Sequence, residues 1–237
     1  MTAKRKVMGP ILGVCVVVFA GISQAYTITD DFEDGDYTAN PTWTNSVSYM
    51  ARVDSVTKDL RLYGTWDSSA RAVLSLNFGS VPVDGSVSVT FDAYQLKNFD
   101  SQAVLCAELA KEGGAANLVK LTTNPDFFGW GTAATGIALF DINNNPVLSG
   151  PDSTFSVASQ TISLFYSRVT GAFQVSQNGS VILTATVPDL AVDTLKFWNE
   201  SANDDMSIDN VSVTVVPEPV SFLMMSLCGL AILRRRR

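Results

Sequence analysis

The 237-residue chain sets sixteen lysines and arginines against twenty-three aspartates and glutamates, a net charge of −7, and contains no histidine. The missing imidazole excludes serine–histidine and cysteine–histidine nucleophile systems and the usual zinc sites. Three of the basic residues lie in the first 25 positions and four at the very end, whereas all but one of the acidic ones lie between, so residues 26–215 hold nine basic and twenty-two acidic side chains, a net −13. Such a body does not bind nucleic acid or anionic membrane surfaces through charge; calcium and neutral sugars suit it better, and its acidity serves solubility equally well.

Lys4, Arg5 and Lys6 precede an apolar run over 11–20, and Ser23-Gln24-Ala25 follows with small residues where signal peptidase reads. This is the pattern of a signal peptide over residues 1–25, cleaved after Ala25. Cys15 is not a lipidation site, since bulky Val14 precedes it and the apolar run continues beyond it.

From residue 26 onward the chain reads as strands, because short runs rich in Val, Thr, Ile, Phe and Tyr are punctuated by Gly, Asn, Asp and Pro. Strands are expected over 46–53, 71–78, 86–96, 102–109, 136–142, 160–167 and 194–199, and loops over 109–117 and 124–135. Val87, Val89, Phe91 and Ala93 fall at alternate positions, as a half-buried strand requires, leaving Ser88, Thr90, Asp92 and Tyr94 for the other face. Cys106 is the one cysteine between leader and tail, so no disulfide forms within the body, and its apolar neighbours make it a buried small hydrophobe. A dozen or so strands in one body imply two packed antiparallel sheets, an all-β sandwich over 26–215.

An aromatic strand from Ile162, a Thr170-Gly171 turn, a strand ending at Asn178-Gly179 and a third strand over 180–186 form a double hairpin. Asn-Gly is the type I′ signal, since both central residues need positive φ. With the opening Asp30-Asp31-Phe32-Glu33-Asp34-Gly35-Asp36 and the closing run from Ser207 to Val213, this pattern resembles concanavalin A-like jelly rolls of the laminin-G type and related carbohydrate-binding modules. The resemblance implies that first and last strands lie side by side, bringing Asp31, Glu33 and Asp36 near Asp209 as a calcium site of stabilising character. Glu33 and Asp209 match the two residues that share a calcium in those modules, although Asn210 stands where many have a second aspartate. The same carboxylates also read as ordinary turn and cap residues.

Tryptophans are the candidates for stacking on sugar rings, flat apolar faces with polar edges being suited to it. Trp130, set between Gly129 and Gly131, is the most loop-like; Trp43 and Trp66 are further candidates, while Trp43 and Trp198 also fit a core role. Concanavalin A-like folds host glycan hydrolases and lyases as well. However, the strand motif Glu-x-Asp-x-x-Glu of laminarinase-like enzymes is missing, and Glu33, Glu108, Glu112, Glu200 and Glu218 are scattered. No catalytic residues are assigned.

The last segment, residues 216–237, holds Pro217-Glu218-Pro219, fourteen apolar-type residues over 220–233, and Arg234, Arg235, Arg236 and Arg237. The prolines break the preceding strand and leave Glu218 in an extended, accessible peptide. An apolar run closed by arginines stalls in a membrane with its positive end on the cytoplasmic side. A fourteen-residue helix rises only about 21 Å, short of a hydrocarbon core of about 30 Å, which suits a transient anchor better than a permanent one. This order of elements resembles the PEP-CTERM sorting signal of Gram-negative bacteria. It implies export by way of transient inner-membrane insertion, processing near Pro217-Glu218-Pro219 by an exosortase-like enzyme, and delivery to a cell surface or matrix rich in exopolysaccharide. The expectation is therefore a non-catalytic surface or matrix protein that binds polysaccharide, with an inert structural component or a glycan-active hydrolase or lyase as alternatives.

Overall fold

The computed structural model describes residues 24–65, 71–95, 104–114, 116–122, 137–140, 146–149, 158–200 and 205–217. Residues 1–23 of the expected signal peptide and 218–237 of the expected sorting tail lie outside them, as do Trp66, Trp130 and the 124–135 loop. Residues from Gln24 to Glu218 form one compact unit.

The chain begins with β1 (Tyr26–Asp30), then β2 (Thr44–Asn45), a 3-10 turn (Ser48–Met50), β3 (Ala51–Val53), β4 (Leu60–Leu62), β5 (Val73–Asn77) and β6 (Gly85–Gln95). There follow β7 (Val104–Ala110), β8 (Ala116–Thr122), β9 (Ile137–Phe140), β10 (Pro146–Ser149), β11 (Gln160–Ser167), β12 (Ala172–Gln177), β13 (Ser180–Thr186), β14 (Thr194–Asn199) and β15 (Met206–Pro217). An eight-stranded sheet has the order β13-β12-β11-β6-β15-β4-β3, with β1 paired to β15; a seven-stranded sheet runs β10-β9-β8-β7-β14-β5-β2. Every pairing is antiparallel. The expected all-β, two-sheet architecture is what forms.

Alternation dictates which face each strand buries. Val87, Val89, Phe91 and Ala93 point inward from β6, as do Ile162, Leu164 and Tyr166 from β11, against Leu105, Ala107 and Leu109 of β7 and Leu195 and Phe197 of β14. Phe91 meets Phe197 edge-on at 4.8 Å between ring centres, Phe197 meets Trp43 at 5.8 Å, and Trp43 meets Phe32 at 6.3 Å, an aromatic chain that ties the two sheets together. Cys106 is buried, as its neighbours foretold.

Several boundaries differ from the sequence reading. Residues 46–53 are not one strand: the chain leaves the seven-stranded sheet at Asn45 and enters the eight-stranded one at Ala51. Between them, the Asn45 side chain accepts the Val47 N–H and Met50 N–H bonds to the Val47 carbonyl. The loop expected over 109–117 shrinks to a turn, because β7 and β8 pair in register from Val104↔Thr122 to Ala110↔Ala116. Strands β4, β8 and β10 carried too little alternation to be read. The opening Asp30–Asp36 stretch is a strand only to Asp30; beyond it Asp31, Asp34 and Asp36 each accept the N–H two residues on, a run of Asx turns. The body also ends later than 215: β15 continues to Pro217, opposite Gly85. Pro217 ends the ladder instead of breaking it earlier, since a proline at a strand terminus forfeits no needed donor.

Candidate functional site

Outward-facing residues of the eight-stranded sheet form polar rows across several strands. Arg52, Arg61, Ser207 and Tyr94 are successive partners across β3, β4, β15 and β6. Asp209, Asp92 and Thr161 form the next outward row across β15, β6 and β11. Ser212, Thr90, Ser163 and Ser176 form a row of small hydroxyls; in the row beyond it Thr214 and Ser88 are followed by the half-buried ring of Phe165 and by Gln174. Strand alternation makes this face polar while the same strands bury Val, Leu and Phe behind it.

The middle of the face is shaped by a bulge between Asp209 and Ser212 in β15, where Asn210 takes a positive φ of 51°. At this point β15 changes neighbour: residues 206–208 pair with β4, and 211–215 with β1. The break leaves a cleft of about 360 Å³ lined by Thr29, Asp30, Asp31, Asp34, Asn40, Asn210, Val211 and Ser212. Asn210 Nδ2 donates to Asp92 at 3.0 Å and to Asp209 at 3.3 Å, and Thr161 Oγ1 donates to Asp92 at 2.5 Å. Two carboxylates thus stand opposite each other, joined by one amide. Burial pushes the Asp209 carboxyl above its usual range, and the charges of Asp92, Asp59 and Asp31 push the same way, against the Asn210 N–H.

Beside this pair Asp59 is nearly fully buried and acts as a hub. It accepts from Ser207 Oγ and Thr57 Oγ1, and faces Arg61, which also pairs with Asp54 at 3.0 Å. The Tyr94 phenol is pushed up to about 12, first by burial and then by its hydrogen bond to Asp59. Arg52 lies over the Tyr63 ring, 5.3 Å from its centre.

The expected partners of Asp209 are only partly gathered. The first and last strands do lie side by side, from Tyr26↔Val215 to Asp30↔Val211, and Asp31 is close enough to act on Asp209. Asp31 lines the cleft, but Glu33, Asp36 and Asp209 do not; Asp34 lines it instead. Asp36 is spent on Thr38, accepting both its N–H and its hydroxyl at 2.7 Å, which holds the carboxyl below its usual range. Among the described residues no three aspartates, glutamates or cysteines are placed to share a metal. The cleft and its donors are present without the ligand set foreseen for calcium.

Trp43 corrects the sugar-stacking assignment. Only 2% exposed, it packs between Phe32 and Phe197, and its Nε1 donates to Asp30 at 2.7 Å. Its place after the opening turn threads it into the core. Trp198 is half-buried on the outer face of the other sheet, donating to Glu200. Ala25 is exposed just before β1; Glu218, Pro219 and Arg234 to Arg237 lie outside the described residues. Sequence reasoning missed Asp92, although the alternation of β6 had already set it outward. Only the register of β15 places Asp209 opposite it.

No family model and no curated protein matches the sequence. Solved structures do match in shape. A galectin-like protein of unknown function from Bacillus subtilis gives a TM-score of 0.59 at 13% identity, covering 83% of this chain and 98% of its own. The fold is a lectin-like jelly roll. The basic winged bean lectin with Tn-antigen matches at 0.57 and 10% identity over 83% of this chain and 100% of its own. The cellulose induced protein Cip1 matches at 0.57 and 15% identity over 78% and 96%. At such identities the likeness concerns the fold.

Proposed function

We propose that this chain is an exported, non-catalytic protein of the cell surface or extracellular matrix that binds neutral polysaccharide on the outer face of its eight-stranded sheet. The reading rests above all on the Asp92–Asn210–Asp209 group. It offers carboxylate acceptors and an amide beside the hydroxyl row of Ser212, Thr90, Ser163 and Ser176, the donor–acceptor pattern that pairs with sugar hydroxyls. That a winged bean lectin shares the jelly roll supports it. The acidity of the body favours a neutral glycan over a polyanion. Signal peptidase and an exosortase-like enzyme are the processing partners that the leader and the Pro217-Glu218-Pro219 tail suit.

Other features speak for binding without catalysis. A Tyr94 phenol held near 12 makes a poor base at neutral pH. Glu108 is paired with Lys196 and Glu200 with Arg71.

The test is a glycan array probed with the full chain, in calcium and in chelator, followed by affinity electrophoresis on the best neutral polysaccharide. Asp92→Ala and Asp209→Ala should each weaken binding at least tenfold while melting stays cooperative. Silence across the array, or binding untouched by either substitution, would sink the assignment. The two salt conditions separate a site built from side chains alone from one completed by a cation.

One observation favours a second reading. Directly opposed residues have Cβ atoms about 4.5–5.5 Å apart, and Asp209 with its raised pKa beside Asp92 suits the acid and nucleophile of a retaining glycosidase. Release of reducing sugar by the wild type, abolished in Asp209→Asn, would establish hydrolysis and displace the binding reading.

A further inference from the structure

Alternation along β11 buries Ile162, Leu164 and Tyr166 in the core and sends Thr161, Ser163 and Phe165 to the outer face. Phe165 breaks the polar pattern of that face. Its direct partners are Ser88 on β6 and Gln174 on β12, and the next outward residues along those strands are Ser86, Thr90, Ala172 and Ser176. The core, which lies behind the sheet, gains nothing from a ring placed here. Each of these six neighbours is itself part-exposed, so the face around the ring is open to solvent.

Among the described residues no second ring and no cation packs on Phe165. Phe32, Trp43, Phe91 and Phe197 make their ring contacts in the core, and Arg52 lies over Tyr63. Tyr94, the aromatic that β6 sends to the same face, is tied by hydrogen bonds to Asp59 and Ser207. Charge also falls away around Phe165. From 153 to 188, a stretch that covers β11, β12 and β13, the single charged side chain is Arg168. It pairs with Asp189, Nε to Oδ1 at 2.8 Å, and donates to the Val81 carbonyl. The ring therefore sits in an uncharged field on a body that is acidic elsewhere.

Register fixes how far the ring lies from the carboxylate group. Thr161 stands opposite Asp92, and Phe165 is four residues further along β11, about 13 Å at the rise of an antiparallel strand. The paired hydroxyls of Thr90 and Ser163 lie midway, 3.2 Å apart. That distance is more than twice the width of one pyranose ring, so a single ligand reaches both ends only when several sugars run along the strands.

We propose that Phe165 is the stacking platform of this face and that its ligand is a neutral oligosaccharide lying along the strands. One pyranose sets its C–H face on the Phe165 ring, with the Gln174 amide and the Ser88 and Ser176 hydroxyls at its rim, while a sugar further along the same chain meets the Asp92–Asn210–Asp209 group. An aromatic face takes up apolar C–H groups, and the polar atoms around it pair with the hydroxyls at the sugar's edge. The platform selects for chain length, since a single sugar satisfies one end only. This inference rests on the reading of the outer face as a glycan surface, and adds to it the ring that sequence alone sought among the tryptophans.

The experiment is affinity electrophoresis of the full chain in the neutral polysaccharide that an array selects, with competition by the mono-, di-, tri- and tetrasaccharide of that polymer. Phe165→Ala, Phe165→Leu and Phe165→Trp are compared with wild type and with Asp92→Ala, each checked for a cooperative melt. Loss of the ring should weaken binding about tenfold in Phe165→Ala and in the bulkier Phe165→Leu, whereas Phe165→Trp keeps or exceeds wild-type affinity. Wild type should gain affinity steeply beyond the disaccharide, and the gain should flatten in Phe165→Leu. Leu binding as tightly as Phe, Trp as weak as Ala, or a length dependence unchanged without the ring would overturn the platform. If Asp92→Ala weakens binding at the same time, the glycan reading survives that outcome. Wild type bound to no polysaccharide overturns both.

Discussion

Removing the Asp30 carboxyl should cost the domain several degrees of thermal stability, because the group closes the opening turn from inside. Its Oδ1 accepts the Phe32 N–H at 2.9 Å and its Oδ2 accepts Trp43 Nε1 at 2.7 Å; both donors belong to buried residues, and Phe32 is held at a φ of 52°. In Asp30→Ala two buried donors lose their partner, at about 1–3 kcal/mol each. Part is returned, since burial already disfavours the charged carboxyl and raises its pKa. A net loss of about 3 kcal/mol is expected, about 6–12 °C in Tm for a domain of this size. Asp30→Asn keeps one acceptor and should lose about half as much. Calorimetric melts at neutral pH of wild type, Asp30→Asn, Trp43→Phe and the double variant complete a cycle. If the Trp43 bond carries energy, the two single losses will exceed the double one. An Asp30→Ala melt within a degree of wild type, or additive losses in the cycle, would refute the reasoning.

Asp209 supplies a pH test. Its folded pKa lies above the ordinary 3.8, so the folded protein holds this proton more tightly than the unfolded chain. The site's contribution is full below 3.8 and lost as pH rises through the folded value. Melting temperatures of Asp209→Asn relative to wild type should therefore climb with pH across that window and then level off; a flat difference would contradict the shift. Gly171→Ala should destabilise by about 3 kcal/mol, since φ is 67° and an added Cβ would lie 2.5 Å from the Val187 carbonyl oxygen. Gly179→Ala, at φ 81° with open space around it, should cost only about 1–2 kcal/mol in the same denaturant titration. Equal costs would show that the contact with Val187 does not constrain the turn. Buried Cys106 should stay unreactive to a thiol reagent in native residues 24–218 and react fully in denaturant; rapid native labelling would contradict its placement between the strands.

Strong periodicity was legible without a structure. Period-two alternation in Val87, Val89, Phe91 and Ala93 fixed both the strand and its inward face, and residues 160–167 and 194–199 form strands with the expected bounds. Asn178-Gly179 turns with φ of 50° and 81°, because its chemistry is local. What depends on two distant segments was not legible. Thr44–Asn45 and Ala51–Val53 belong to different sheets, a crossing that no local pattern records. Trp43 offers an aromatic ring to either core or ligand, and the buried Asp30 carboxylate decided for the core. Asp92 and Asp209 were each visible as polar residues on alternating strands. Their opposition comes from the register of β15 against β6, and the cleft beside them from β15 exchanging β4 for β1 at a bulge. Sequence determines which residues face inward, since alternation and turn chemistry act over a few residues. Only the tertiary structure decides which outward residues meet, because register sums the packing of the whole sandwich.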